Sequence, residues 1–181
     1  PLVRRAHVTT ELPATLVVTI EERVPVGFVV SPVLEPVDRD GEVLPLDPVE
    51  QGLDLPVLIG AGGAAALSPS QRLILAMEAD RLASDDPTFL ATVSEIAIDA
   101  RGDVTAVVTE LVSGDLLLRF RPPLSHRRLH DGLTVLEDAI HRRPDQRAVV
   151  LDLRFEDELR RTPGVSRAHL GQPAHVRDHC D

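Results

Sequence analysis

The stretch Ala148 to Phe155, AVVLDLRF, constrains the fold of this chain more than any other. Leu151, Leu153 and Phe155 fall on one side of a period-two pattern, and Val150, Asp152 and Arg154 fall on the other. That pattern predicts a strand with one apolar face turned to a core and one face carrying an opposed charge pair. Just upstream, Leu129, Leu133, Leu136 and Ile140 recur at helical spacing, which predicts a helix lying on the strand's apolar face. Beyond Glu158 the alternation fades into arginines and then into a Pro/Gly/His tail. A strand so near the end of the patterned chain is a candidate sheet edge, and an edge is something another chain can pair with.

From the amino terminus, Ala6, Val8 and Leu12 alternate with His7, Thr9 and Glu11, and Leu16, Val18 and Ile20 with Val17, Thr19 and Glu21. Joined by the short Pro13-Ala14 turn, the two runs predict a hairpin. Pro25 interrupts the ladder, and Val26 to Val30 continues as an extended piece at an edge or a change of sheet. Ser31 to Pro36 reads as a connector. Leu34 to Val37 and Glu42 to Leu46 form a small hairpin around Asp38-Arg39-Asp40-Gly41, and Leu55 to Ile59 is a short apolar strand. Ser68-Pro69 starts a helix carried on by Leu73, Ala76, Met77 and Leu82 and stopped by Asp85-Asp86-Pro87. Val93 to Asp99, Val104 to Leu111 and Asp115 to Phe120 read as an antiparallel meander, and Ser125 caps a second helix ending near His141.

Composition narrows the function. Hydrophobic content of 43% with 27% charged residues belongs to a folded chain rather than a disordered one. Acidic residues outnumber basic ones 29 to 19, for a net charge of -10, which disfavours nonspecific nucleic-acid binding. Every basic residue is arginine, so Schiff-base and P-loop lysines are absent. Four Phe with no Tyr or Trp leave little for base stacking or aromatic cages. Cys180 stands alone, which removes intrachain disulfides and cysteine-built zinc sites. No run reaches the roughly 20 apolar residues of a membrane-spanning helix. The chain opens at Pro1 almost directly in a strand pattern, and it reads as a fragment whose amino-terminal part has been removed.

Several patterns mimic sites. Val57 to Ala65 fits a loose dinucleotide fingerprint, so a nucleotide-binding enzyme through Gly60 to Ala65 is one alternative. The helix signal comes late, however, and Asp80, near the ribose-binding distance, lies inside a helical pattern. A flexible Gly/Ala linker is the better reading. Asp38, Asp40 and Glu42 lack the remaining ligands of a calcium loop and read as a turn. His126 and His130 share a helix face without a third ligand, with Arg127 and Arg128 between them. Neither metal nor cofactor is expected, nor is a catalytic constellation. Asp152 and Arg154 either pair with each other and with neighbouring strands or face a partner; local residues leave both open.

The order of segments resembles the bacterial cell-division protein family FtsQ/DivIB. Pro13-Ala14-Thr15-Leu16 matches a P-x-T-L, and Glu22-Arg23-Val24-Pro25-Val26 an E-R-x-P-V. Asp38, Gly41 and Pro45 follow as D-x-x-G-x-x-x-P, Leu55 to Gly60 as L-P-x-L-x-G, Ser94 to Ile96 as S-E-I, and Asp152 to Phe155 as D-L-R-F. Each motif is short; their order over about residues 1 to 158 carries the resemblance. It implies an α+β fold, a curved antiparallel or mixed sheet with two main helices, preceded by strands of a truncated POTRA domain. The implied division is 1–30 for the POTRA strands, 31–162 for the β-domain and 163–181 for a disordered tail.

The resemblance further implies a non-enzymatic scaffold in the divisome, single-pass in the inner membrane with this region extracytoplasmic at the septum. Its partners would be the FtsB/FtsL pair and, indirectly, the synthases FtsW and FtsI. FtsB would add a strand to the carboxyl-terminal edge, with the arginine and aromatic of D-L-R-aromatic mapping onto Arg154 and Phe155. The expected partner-binding residues are therefore Asp152, Arg154, Phe155 and Glu158, with Arg154 ranked above Phe155 because Phe155 lies on the core side of the strand. The residues after Phe155 lack the alternation usual in the family's last strand. A POTRA-like chaperone or secretion module that takes extended polypeptides is the other alternative.

Overall fold

The computed structural model describes residues 1–64, 67–109, 115–143 and 150–154. Two antiparallel strands, β1 (Val3–Glu11) and β2 (Thr15–Glu22), form a ribbon of their own, with Val8 opposite Val18 and Ala6 opposite Ile20. This is the hairpin that the alternation predicts, turned at a cis Leu12-Pro13 bond. Its apolar face stands in solvent: Val8, Val18 and Ile20 are 55%, 51% and 54% exposed.

The remaining strands make one seven-stranded sheet. They are β3 (Pro25–Val30), β4 (Leu34–Asp38), β5 (Val57–Ile59), β6 (Val93–Ile98), β7 (Val104–Val108), β8 (Leu116–Phe120) and β9 (Val150–Asp152), in the spatial order β4-β3-β5-β6-β7-β8-β9. The β6-β7-β8 meander is antiparallel as predicted, whereas β3-β5, β5-β6 and β8-β9 are parallel. The fold is thus α+β with a mixed sheet.

Residues 25–30, grouped above with the first segment, lie within this sheet, and Val26 to Val29 are buried. The expected connector Ser31 to Pro36 is half strand: Leu34 pairs back onto Val30, and the Ser31 N–H closes the turn on the Val33 carbonyl at 2.9 Å. Around Asp38 to Gly41 the turn forms, with Gly41 at φ 74° and its N–H on the Asp38 carbonyl at 2.9 Å. The strand expected after it shrinks to a single bridge between Val37 and Val43. Pro45 and Pro48, each without an N–H, interrupt the run that follows.

A parallel neighbour cannot be reached by a tight turn, so β5–β6 and β8–β9 each need a crossover. Helix α1 (Pro69–Asp85) and the short α2 (Pro87–Leu90) make the first; α3 (His126–Arg142) makes the second. The two joins step the same way along the sheet, and right-handed connections put both long helices on one face. A single buried cluster accordingly joins Leu75, Ala79 and Leu82 of α1, Leu129 and Leu136 of α3, and Ile96, Val104, Leu118 and Phe120 of the sheet. Ser68 caps α1 in a reciprocal box with Gln71, and Ser125 caps α3. Leu73 and Met77, which help mark α1 in the sequence, are 41% and 48% exposed; Leu75 and Ala79 take the inner face.

The ribbon is tied to the sheet by charge. The Arg4 guanidinium donates to both Asp40 oxygens, at 2.9 and 3.0 Å, and to Glu21 at 2.9 Å. Arg23 donates to Asp38 and, at 3.3 Å, to Asp40. Asp38, buried, also accepts the N–H groups of Asp40 and Glu42 at 3.0 and 2.9 Å, so one carboxylate serves turn and clasp together.

Glu78 is the other buried carboxylate among the described residues. It accepts the Leu124 N–H at 3.0 Å and so joins α1 to the residue before the α3 cap. Burial pushes its pKa above the ordinary glutamate value, against the opposing pull of the Leu124 N–H and Arg81. A raised carboxyl pKa contributes stability that is complete below the unfolded value and lost as pH climbs past the folded one. Glu78→Gln keeps an acceptor and cannot ionise, so it should gain stability over the native protein at mildly alkaline pH but not at acid pH. Glu78→Ala orphans the Leu124 N–H and should cost about 1–3 kcal/mol. Urea unfolding of the three proteins at both pH values checks this; parallel pH profiles for Gln and Glu would refute it.

Candidate partner-binding edge

Along β8, Leu116, Leu118 and Phe120 point into the core while Arg119 is exposed. Strand β9 lies beside it in parallel, Leu118 against Leu151 and Arg119 against Asp152, and the Leu153 N–H donates to the Arg119 carbonyl at 2.7 Å. Leu153 is 5% exposed and Leu151 half-buried, whereas Val150 and Asp152 are exposed. Over Val150 to Arg154, the described part of the predicted strand, the faces are those the alternation predicts. Leu129 and Leu136 of α3 are buried in the same cluster as Leu153, and Leu133, Ile140 and Leu151 pack against it.

Strand β9 ends the sheet among the described residues. The opposite margin, β4, is blunted on its outer side by the Val37–Val43 bridge, by the Leu44 N–H on the Pro36 carbonyl at 2.8 Å, and by Pro36 itself. Since the Leu153 N–H faces β8 and backbone direction alternates along a strand, the Val150 and Asp152 amides point away from β8.

The charged residues of this edge form a chain. Arg154 donates through Nε to Asp152 Oδ1 at 2.9 Å and through Nη2 to Oδ2 at 2.6 Å, and Asp152 Oδ1 also accepts the Arg154 N–H at 3.1 Å. Its Nη1 reaches Asp103 Oδ2 at 2.9 Å, and Asp103 Oδ1 accepts Arg121 Nε at 3.1 Å. Asp103 is fixed by its own turn: Asp99 Oδ1 accepts the Arg101 and Asp103 N–H groups at 2.8 and 3.0 Å, and Gly102 takes φ 83°. The Arg154 side chain is 24% exposed and that of Asp103 12%. Beside the chain, Arg121, Pro122, Pro123, Arg128 and Arg154 line an open cleft of about 390 Å³.

Two carboxylates hold Arg154 firmly in its charged form, with Asp152 contributing most. In return Arg154, then Arg121, holds Asp103 below the ordinary aspartate value, and Arg154 does the same for Asp152. Of the expected contact residues, the structure brings Asp152 and Arg154 together, while Phe155 and Glu158 lie outside the described residues. Asp103 and Arg121 carry no signal in the sequence, since each lies far along the chain from Arg154. Only the folding of the β6–β7 turn toward β9 connects them.

Gly60 and Gly63 form an isolated bridge, α1 begins only at Pro69, and Asp80 sits within α1; Ala65 lies outside the described residues. Asp38 and Asp40 are committed to Arg23 and Arg4. His126 and His130 stack at 6.2 Å between ring centres. Among the described residues there is no group of three metal-capable side chains, and no helix is long and apolar enough to cross a membrane.

A protein-family model described as cell division protein FtsQ/DivIB, C-terminal, matches residues 30–154, from the end of β3 through Arg154. No curated protein matches the chain.

The depressed pKa of Asp103 contributes stability that is present above the ordinary aspartate range and lost as pH falls through the folded value. Asp103→Asn should therefore flatten the acid limb of the stability–pH profile while leaving its alkaline limb unchanged. Chemical denaturation across the acid range measures this, and an acid limb as steep as the native one would count against the network.

Proposed function

This chain belongs to the FtsQ/DivIB family of cell-division proteins, and from that premise we propose that it is a non-enzymatic scaffold whose β9 edge accepts a strand from an FtsB/FtsL-type partner. Through that complex it helps control the septal peptidoglycan synthases FtsW and FtsI. The region works outside the cytoplasmic membrane at the division septum, held there by an amino-terminal anchor beyond this chain. The ribbon of residues 1–22 is the closing pair of strands of a POTRA domain, and the β-domain begins at β3, ahead of the boundary after residue 30 that the resemblance implies. The exposed apolar face of the β1–β2 ribbon supports that division, since a two-stranded ribbon ordinarily needs further cover.

One observation carries the docking reading: β9 is the last described strand of the sheet, seated by Leu151 and Leu153, with the Val150 and Asp152 amides turned away from β8. Strand addition gains affinity from main-chain hydrogen bonds and specificity from side chains that alternate along the edge. Asp152 and Arg154 supply that alternation on the outer face. Because Arg154 already has two carboxylate partners in its own chain, an acidic partner residue must exchange with Asp152 or Asp103 rather than meet a bare cation. Charge at this edge selects register more than it adds affinity.

Proline is tolerated on an edge where the amide faces away from the sheet, and it blocks a strand added there. Val150→Pro should leave the thermal midpoint within a few degrees of native and weaken capture of the FtsB/FtsL pair by about tenfold or more. Arg154→Ala should weaken it less, because backbone pairing survives. Unaltered capture by the proline variant would overturn strand addition at β9. Capture of many unrelated extended peptides, in place of one defined pair, would favour the chaperone-like alternative.

A further inference from the structure

Helix α3 carries a glycine in its interior, a position where glycine weakens a helix relative to alanine. Gly132 is buried, and a Cβ placed on it would stand 2.6 Å from Leu153 Cδ2, 3.3 Å from Leu153 Cδ1 and 3.5 Å from Leu151 Cδ2. The first distance is one that real Cβ atoms essentially never show; the atom met is the far end of a side chain, but that leucine is 5% exposed and enclosed by the core cluster, which limits how it can turn aside. The space a side chain would fill is taken by the two leucines that seat the edge strand. Among the described residues, strand β9 spans Val150–Asp152 and has one ladder neighbour, β8. Beside that ladder, the contact of Leu151 and Leu153 with α3 fixes the inner face of the strand.

We propose that Gly132 is a positioning residue for the docking edge: the bare patch it leaves on α3 lets Leu151 and Leu153 sit down on the helix. That seating holds the Val150 and Asp152 amides in line for an incoming strand. The inference rests on the reading of β9 as the docking edge. The ligand class is an extended polypeptide segment paired through its backbone, and α3, which need not touch that segment, sets how well the edge receives it. A leucine lifted from α3 also carries Arg154, the next residue along, away from Asp103 on the β6–β7 turn. The apolar seat and the charge chain therefore hold or yield together.

The sign of the test separates positioning from ordinary helix stability. Gly132→Ala improves helix propensity, so an effect confined to α3 would stabilise the protein. Displacement of β9 instead predicts that the Leu151 and Leu153 amides exchange hydrogen about tenfold faster or more, while β6 and β7 amides keep their native rates. Capture of the FtsB/FtsL pair should fall by about tenfold. Adding Leu153→Val removes the δ carbons that the new methyl meets, and the double variant should recover slow exchange and capture, with Leu153→Val alone as the reference. Native exchange at Leu151 and Leu153 in Gly132→Ala would overturn the positioning role. Faster exchange spread evenly over β6, β7 and β9 would overturn it as well, by making Gly132 a residue of general stability. A loosened β9 with undiminished capture would instead overturn the docking edge on which the inference rests.

Discussion

The parallel pairing of β9 to β8 organises the carboxyl-terminal half of this protein. Parallel neighbours demand a long crossover, and right-handedness allows that crossover only one face of the sheet. Helix α3 therefore lands where α1 has already landed, and the two share one apolar cluster with the inner residues of β6, β7 and β8. The opposite face keeps Ser94, Glu95 and Arg119 in solvent. A last strand that arrives from a helix has its inner face filled by that helix, which leaves only its lateral margin and outer face to meet anything else.

Charge plays a different part, as a set of local ties. Asp38 gathers two turn amides and Arg23, Asp99 gathers the turn that presents Asp103, and Glu78 holds the Leu124 N–H at the entrance to α3. Each carboxylate fixes a bend or a junction that the apolar cluster leaves undetermined. A chain with a net charge of -10 needs its few well-placed arginines for this. Arg4 and Arg154 each join carboxylates from separate parts of the chain, Arg23 reaches Asp38 and Asp40 of one turn, and Arg121 reaches Asp103. In partly exposed positions such pairs contribute more to geometry than to stability.

What could be read from the residues follows the range of the forces involved. The faces of β9, the caps at Ser68 and Ser125, the first hairpin and the meander are local patterns of alternation, capping and turn residues, and the structure has them where the sequence puts them. Which strands pair was less legible. Ser31 to Pro36 carries the proline and serine of a connector, yet Leu34 to Pro36 is drawn into strand by β3, whose buried valines need a neighbour. The inner face of α1 is not legible either: Leu73 and Met77 stand outside while Leu75 and Ala79 face in, because apolar residues surround that helix and sequence cannot say which of them meets the sheet. At the edge, Asp152 and Arg154 were legible from strand alternation. Asp103 was not, since it lies 51 positions from Arg154 and meets it only through the sheet order. Gly132 gave no signal beyond the oddity of a glycine between two helical leucines.

The two margins of the sheet show opposite solutions to one problem. An unpaired strand invites any extended chain, and β4 answers with a proline, a covering bridge and a buried aspartate at its end. Strand β9, the other margin among the described residues, answers with three residues and an outward Asp152–Arg154 pair that is neutral as it stands. Three residues give an adventitious strand little to hold, and the outer charges are committed to each other and to Asp103. A long flat edge would bind more tightly and choose less well. The described margin held against α3 thus exposes few main-chain groups and an outer face whose charges are already paired, the features that keep an edge from pairing at random.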